Sequence, residues 1–87
     1  MIRGLELTFS CAEGDHLVFV PRGTLTTIIG LMRMLDEEEE IKEYKVKKDI
    51  IALISLDKVQ FFLGDLSSEY FVFVSRAKIM EAIHDDR

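Results

Sequence analysis

Three apolar segments in the second half of the chain constrain the fold more than any other feature. Residues 49–56, 59–63 and 70–74 are rich in branched and aromatic side chains, and such segments predict strands. Successive side chains of a strand point to opposite faces, so neighbours such as Phe61 and Phe62 would place large apolar groups on both faces of a sheet. A sheet with one solvated face alternates apolar and polar residues instead. The sequence therefore predicts that something covers a second face of these strands.

The first half of the chain predicts a hairpin. Leu5, Leu7 and Phe9 alternate with polar residues, which indicates a strand with one buried face. Residues 11–15 predict a loop, and residues 16–20 predict a second strand. Because only a short loop separates the two strands, we expect them to pair with each other.

A helix is predicted after this hairpin, with Thr24 as its N-cap, because a threonine hydroxyl can accept a backbone N–H of the first turn. Its apolar residues recur at spacings of three and four, as on one face of a helix: Leu25, Ile28, Ile29, Met32 and Leu35. The prediction continues this helix to about Tyr44, with i,i+4 ion pairs along residues 33–42. The alternative is a second short helix capped by Asp36, since carboxylates at a helix C-terminus oppose its dipole.

The last helix is predicted over residues 76–84, with Ser75 as its N-cap. The full order is strand, strand, helix, strand, strand, strand, helix. Short connections make consecutive strands antiparallel neighbours, which indicates the α+β class. We therefore expect one domain over residues 1–87, with an antiparallel sheet of about five strands and two helices packed on one face.

The charge and the cysteine content exclude several classes of protein. The net charge is −5 at pH 7, whereas a general nucleic-acid binder needs clustered lysine and arginine, so nucleic acid is not an expected partner. Cys11 is the only cysteine, which excludes an internal disulfide and a multi-thiolate zinc site and fits a reducing, cytoplasmic location. No apolar run approaches the roughly 18 residues of a membrane helix, so no membrane contact is expected. No cofactor and no metal are expected either.

Three kinds of structure could cover the second face of the apolar strands. The chain's own helix or hairpin could fold over it, a second copy or another protein could bind it, or an apolar ligand could fill a cavity there. Soluble monomers rarely leave large apolar patches exposed, so we favour a homodimer or partner interface. The residues predicted for this interface are Ile51, Leu53, Phe61, Phe62, Phe71 and Phe73.

Two polar segments are candidate binding sites. Arg22, Gly23 and Thr24 open the first helix, where exposed N–H groups, a guanidinium and a hydroxyl can hold a phosphate or carboxylate. They lack the glycines and the lysine of a P-loop, so an ordinary strand-to-helix turn is the competing interpretation. The second segment is the acidic run of Asp36, Glu37, Glu38, Glu39 and Glu40. It would act either as a solvated surface or as a decoy for a basic, DNA-binding partner.

The hairpin loop brings a thiol and an imidazole, Cys11 and His16, close together in the sequence. They could form a nucleophile–base pair or part of a metal site, but the ligand count does not meet a closed site, and hairpin tips collect polar residues for turn formation. The sequence is therefore interpreted as a non-enzymatic interaction or regulatory module that acts through protein–protein contact, as a homodimer. The alternatives are a small-ligand or anion-binding domain that uses the helix start, and an acidic inhibitor of a basic DNA-binding protein.

Overall fold

The computed structural model describes residues 3–84 and confirms the α+β class. In chain order the elements are β1 (Gly4–Cys11), β2 (Gly14–Pro21), α1 (Arg22–Arg33), β3 (Lys42–Lys47), β4 (Ile50–Ile54), β5 (Lys58–Leu63), β6 (Phe71–Ser75) and α2 (Arg76–His84). An antiparallel pair, β1 and β2, forms one sheet, and β3 to β6 form a four-stranded antiparallel sheet in chain order. The predicted succession of strands and helices is confirmed, and the structure adds β3 ahead of the three apolar strands.

The hairpin of β1 and β2 is tighter than the sequence predicts. Its ladder continues to the pair Cys11–Gly14, so only Ala12 and Glu13 lie in the turn. Gly14 has a φ of 118°, a left-handed backbone conformation that a residue without Cβ adopts at little cost. The loop predicted over residues 11–15 is therefore shorter, because this glycine lets the chain reverse direction within it.

Helix α1 ends at Arg33, so the prediction that it continues to Tyr44 is wrong, and no second helix follows in the described stretch before β3. The backbone N–H of Met34 donates to the Leu31 carbonyl at 3.1 Å and closes the last turn. Residues 42–47 pair with β4 instead, and they alternate exposed with half-buried side chains as a strand does. Ending before the acidic run also avoids placing carboxylates at the negative end of the helix dipole.

The two helix starts differ in how they satisfy their backbone donors. Pro21 takes the N-cap position of α1 and α1 begins at Arg22, so the prediction of Thr24 as the N-cap is wrong. No side chain caps this end. At α2 the prediction is confirmed, because the Ser75 hydroxyl accepts the backbone N–H of Lys78 at 3.1 Å.

The hydrophobic core lies between one face of the four-stranded sheet and a layer formed by the hairpin and both helices. From the sheet it takes Ile50, Ala52, Ile54, Val59, Phe61 and Val74. From the hairpin it takes Leu7, Phe9, Val18 and Val20, and from the helices Leu25, Ile28, Ile29, Met32, Ile79 and Ile83. The two helices therefore cover the same face of the sheet, as predicted, and the hairpin covers it with them.

Phe61 belongs to this core and not to the interface predicted for it. Its side chain is 0% exposed, and it lies opposite Ala52 on β4 and Val72 on β6. Side chains alternate between the two faces of a strand, so Phe62 points away from the core. The two adjacent phenylalanines are thus divided between the faces of the sheet, and the pairing register of β5 decides which one is buried.

Candidate protein-interaction face

The second face of the four-stranded sheet, which we call the outer face, carries its side chains in rows that run across the strands. One row consists of Glu43, Leu53, Gln60 and Phe73, and the next row of Lys45, Ile51, Phe62 and Phe71. Residues that oppose each other in an antiparallel ladder point to the same side of the sheet. The structure therefore brings together five of the six residues predicted for an interface, with Phe61 as the exception.

The aromatic side chains of the outer face pack on one another but are not covered from outside. Phe73 is 57% exposed and Phe71 is 43% exposed. Their rings meet edge to face with centroids 5.7 Å apart, and Phe71 lies at the same distance from Phe62. These neighbours shield Phe62, which is 6% exposed. Together with the half-buried Ile51 and Leu53, the two exposed rings form a contiguous apolar patch open to solvent.

Lys58 shows that this aromatic surface also accepts a cation. Its Nζ lies 5.4 Å from the centre of the Phe73 ring, within the range of cation–π attraction, because the face of the ring carries negative potential. Lys58 is exposed and pairs with Ser75 at the end of β6. A positive charge therefore borders the apolar patch on this side.

An open groove of about 460 Å³ joins the outer face to the acidic run. Glu38, Glu39 and Asp57 line it with carboxylates and Lys58 lines it with an ammonium group. Ile41, Leu53 and Phe73 contribute apolar side chains to it. The groove thus combines an apolar surface with carboxylates at its margin. That combination suits a ligand or protein segment that is apolar in part and positively charged in part.

The acidic run itself forms a turn between α1 and β3. The Glu40 carboxylate accepts the backbone N–H of Asp36 at 2.9 Å, and the Glu40 N–H donates to the Glu37 carbonyl at 3.1 Å. These bonds hold Glu40 against the turn, while Glu37, Glu38 and Glu39 are exposed. The acidic surface and the apolar interface, which the sequence predicts as separate sites, are therefore adjacent.

The predicted anion site at the start of α1 lies apart from this groove. Arg22 is half-buried, and its backbone N–H donates to the Arg3 carbonyl at 3.0 Å, so this donor is already engaged. Gly23 is exposed and Thr24 is half-buried, and both lie in the first turn of the helix. None of these three predicted residues lines the groove on the outer face.

Cys11 and His16 lie on one face of the hairpin, but their side chains form no hydrogen bond with each other in the described part of the chain. The Cys11 thiol donates to the Phe9 carbonyl at 3.6 Å, and His16 is exposed. A shallow cleft of about 400 Å³ beside them is lined also by Leu63 and Tyr70. Within residues 3–84, no group of three or more His, Cys, Asp or Glu side chains is placed to hold a metal ion.

Asp65, in the loop between β5 and β6, accepts two hydrogen bonds from Ser67. The Ser67 hydroxyl donates to Asp65 Oδ1 at 2.6 Å, and the Ser67 backbone N–H donates to the same oxygen at 2.9 Å. Both bonds favour the ionised carboxylate and lower the pKa of Asp65 from its ordinary value, with the hydroxyl as the larger cause. Because Asp65 is exposed, this arrangement stabilises a turn and does not resemble a catalytic acid.

Comparison with models of known protein families, with characterised proteins and with solved structures finds no match to this chain. No helix within residues 3–84 is long and apolar enough to cross a membrane. The outer face and its acidic margin are therefore the features on which a functional proposal is built.

Glu43 and Lys45 are members of the outer face that the sequence prediction misses, because Glu43 falls within the helix predicted to about Tyr44 and Lys45 directly after it. A signal for them is present in the sequence, because charged residues in 42–47 alternate with Tyr44 and Val46. That period of two is typical of a strand with one buried face. The alternation in this segment indicates that both charged residues lie on the solvent side of a strand.

Proposed function

We propose that this chain is a non-enzymatic protein-interaction module that forms a homodimer through the outer face of its four-stranded sheet. The exposure of Phe71 and Phe73, beside the half-buried Ile51 and Leu53, carries the proposal. These residues lie on the face opposite the core, and none of them belongs to the core cluster or to the side chains packed against it. A contiguous apolar patch of this kind is unfavourable in water and is typical of an association surface.

The form of the patch favours a protein partner over a small ligand. Its aromatic rings lie on an open sheet surface, whereas ligand pockets enclose most of the molecule they bind. Two sheets pack face to face at about 10 Å with their side chains interdigitated, and aromatic residues are enriched at the centres of protein interfaces. In such an interface Phe71 and Phe73, on the edge strand β6, would pack against the second copy, and Glu43, Lys45 and Lys58 would add polar contacts.

The acidic margin of the groove favours a second candidate, which is a basic partner protein. Glu38 and Glu39 stand beside the apolar side chains of Ile41 and Phe73. A cationic amphipathic segment would satisfy both the charge and the apolar surface. This candidate is the acidic inhibitor of a basic protein, and it uses the same face as the homodimer. Because only the homodimer requires the chain to bind itself, measuring self-association distinguishes the two.

We expect the module to act without catalysis and in the cytoplasm. Cys11 and His16 are the pair of side chains from which an enzyme would most readily be built, and no hydrogen bond joins them among the described residues. A single unpaired cysteine suits a reducing compartment.

Sedimentation velocity over a range of concentrations tests the proposed homodimer. The wild-type protein is expected to sediment as a dimer, and the double variant Phe71→Thr/Phe73→Thr is expected to sediment as a monomer. Threonine retains the β-propensity of the strand while it removes the aromatic area that would be buried between two copies. Circular dichroism is expected to show that the variant remains folded, because both rings are largely outside the core.

The matched control removes a side chain of equal exposure from the hairpin. Leu17 is 58% exposed and points away from the core, and Leu17→Thr is expected to leave the dimer intact. A wild-type protein that sediments as a monomer and binds no hydrophobic dye would overturn the proposed homodimer. If Leu17→Thr dissociates the dimer as fully as the double variant does, the interface does not lie on the outer face.

A further inference from the structure

A sheet face can pair with a second copy of itself in two ways, and the charges of the outer face distinguish them. In both ways the two-fold axis lies between the two sheets. An axis parallel to the strands brings like ends of the two faces together. An axis perpendicular to the strands brings opposite ends together and places each strand against the same strand of the second copy. With the parallel axis, β3 therefore faces β6 of the second copy, and with the perpendicular axis it faces β3 of the second copy in the reverse direction.

The two ends of the outer face differ in charge. At the acidic end, Glu43 belongs to the row whose Leu53 and Phe73 line the groove together with the exposed Glu38 and Glu39, and Lys58 lies at the same end. At the lysine end, the exposed Lys45 is followed by Lys48, with Asp49 beside it. A dimer with like ends together places β3 against β6 of the second copy, so Glu43 would face Phe73 and Lys45 would face Phe71. Both charges would then lose water without gaining an opposite charge, which opposes association.

We infer, given the proposed homodimer, that the second copy binds with opposite ends together, so that its lysine end covers the acidic end. The row that begins with Glu43 then faces the row that begins with Lys45 in the second copy. Glutamate meets lysine on β3, aliphatic side chains meet on β4, and phenylalanines meet on β6. On β5 an amide meets a ring, Gln60 against Phe62. Every contact occurs twice because the interface is two-fold symmetric.

Lys58 also approaches an acidic segment of the second copy in this orientation. It precedes Gln60 by two positions on β5, so in this orientation it faces the position two residues after Phe62 in the second copy, which is Gly64. Asp65 follows directly in the loop, and its carboxylate accepts two hydrogen bonds from Ser67. The orientation therefore places Lys45 against Glu43 of the second copy and brings Lys58 to the start of the loop that contains Asp65.

Glu43 and Lys45 are suited to a test because their side chains have few interactions within a single copy of the chain. Across the ladder they oppose Leu53 and Ile51, and neither side chain forms an ion pair or a hydrogen bond with another described residue. Reversing their charges is therefore expected to leave the fold of a single copy unchanged. Melting curves followed by circular dichroism verify this for each variant.

Charge reversal at the two positions, singly and together, tests the orientation. Glu43→Lys places lysine against Lys45 twice in the dimer, and Lys45→Glu places glutamate against Glu43 twice. Each single variant is expected to raise the dimer Kd by about tenfold or more, since two attractive pairs become repulsive. The double variant Glu43→Lys/Lys45→Glu restores both pairs and is expected to bring the Kd back close to the wild-type value. An equimolar mixture of the two single variants is expected to form a heterodimer tighter than either homodimer.

Glu13→Lys, in the hairpin turn on the other side of the sheet, makes the same change in net charge as Glu43→Lys and is expected to leave the Kd unchanged. If both single reversals leave the Kd unchanged while Phe71→Thr/Phe73→Thr dissociates the dimer, the orientation with opposite ends together is wrong and the homodimer stands. If the wild-type protein is a monomer, the homodimer and this orientation both fail. Binding of a lysine-rich amphipathic peptide to that monomer, lost in the phenylalanine variant, would assign the outer face to a basic partner instead.

Discussion

Alanine substitutions at Phe61 and Phe73 measure which side of the four-stranded sheet is covered. Phe61 is fully buried in the core, whereas Phe73 is largely exposed on the outer face. Phe61→Ala leaves a cavity in a close-packed core and is expected to lower the free energy of unfolding by about 3–5 kcal/mol. A chain of 87 residues has a total stability on the order of 4–13 kcal/mol, so this change removes a large part of it.

Phe73→Ala is expected to cost less within a single copy of the chain. A phenylalanine side chain buries about 200 Å² when it is enclosed. Since Phe73 is 57% exposed, roughly 85 Å² of it is buried against its own chain, which corresponds to about 2 kcal/mol at about 25 cal/mol per Å². This is an upper value, because the unfolded chain already buries some of that area and alanine keeps part of the contact.

Urea unfolding at two protein concentrations separates the two effects. Phe61→Ala is expected to lower the unfolding midpoint at both concentrations. Phe73→Ala is expected to remove the concentration dependence that a homodimer confers on the wild-type protein, because association no longer adds to the measured stability. If Phe61→Ala does not fold, Phe61→Leu replaces it, with an expected loss of about 1.5 kcal/mol or less.

Equal losses of unfolding free energy for Phe61→Ala and Phe73→Ala, both measured at a concentration where the protein is monomeric, would refute this reasoning. Such a result would mean that the two side chains are equally buried. The pairing of Gln60 with Phe73 and of Phe61 with Val72, which assigns β5 and β6 side chains to faces, would then be incorrect.

Two serine hydroxyls lead to the remaining predictions. Ser75→Ala removes the cap that accepts the Lys78 N–H and is expected to lower the free energy of unfolding by about 1 kcal/mol in urea titrations. Ser10→Ala, at an exposed strand position, is the control and is expected to change it by less than about 0.5 kcal/mol. Ser67→Ala removes the main cause of the lowered pKa of Asp65, so NMR titration of that carboxyl is expected to give a higher pKa in the variant. Because the pKa is lowered in the folded state, this turn interaction is present above the ordinary pKa of aspartate and is lost as the pH falls through the lowered value. An unchanged Asp65 pKa in the variant would contradict the role of the hydroxyl.

Elements whose signals are local could mostly be predicted from the sequence, with the N-cap of α1 as an exception, and elements that depend on distant partners could not. Helix α2 covers Arg76–His84 as predicted, because its cap and its apolar spacing lie within a few residues of each other. The end of α1 is different. Residues 34–44 combine charge pairs that suit a helix with an alternation that suits a strand, and the pairing of β3 with β4 decides between them.

The candidate site could also be predicted only in part from the sequence. The apolar excess of the later strands identifies Ile51, Leu53, Phe62, Phe71 and Phe73 as residues in need of a cover. The same excess also identifies Phe61, which the structure buries in the core. The sequence does not show the strand register, and a shift of one residue in the register exchanges the two faces of a strand. The charged members of the face, Glu43 and Lys45, follow only once β3 is known to be a strand.

By itself, the sequence determined that residues 49–74 carry more large apolar side chains than one face of a sheet can bury, because adjacency along the chain is enough to show this. Only the tertiary structure decided that the helices and the hairpin cover the same face, which leaves Phe71 and Phe73 exposed on the other. It also placed Glu38 and Glu39 at the edge of that exposed face. The face that a side chain takes depends on the strand register, and the closeness of the acidic run to that face depends on where separate segments of the chain meet. Neither is a property of the local sequence.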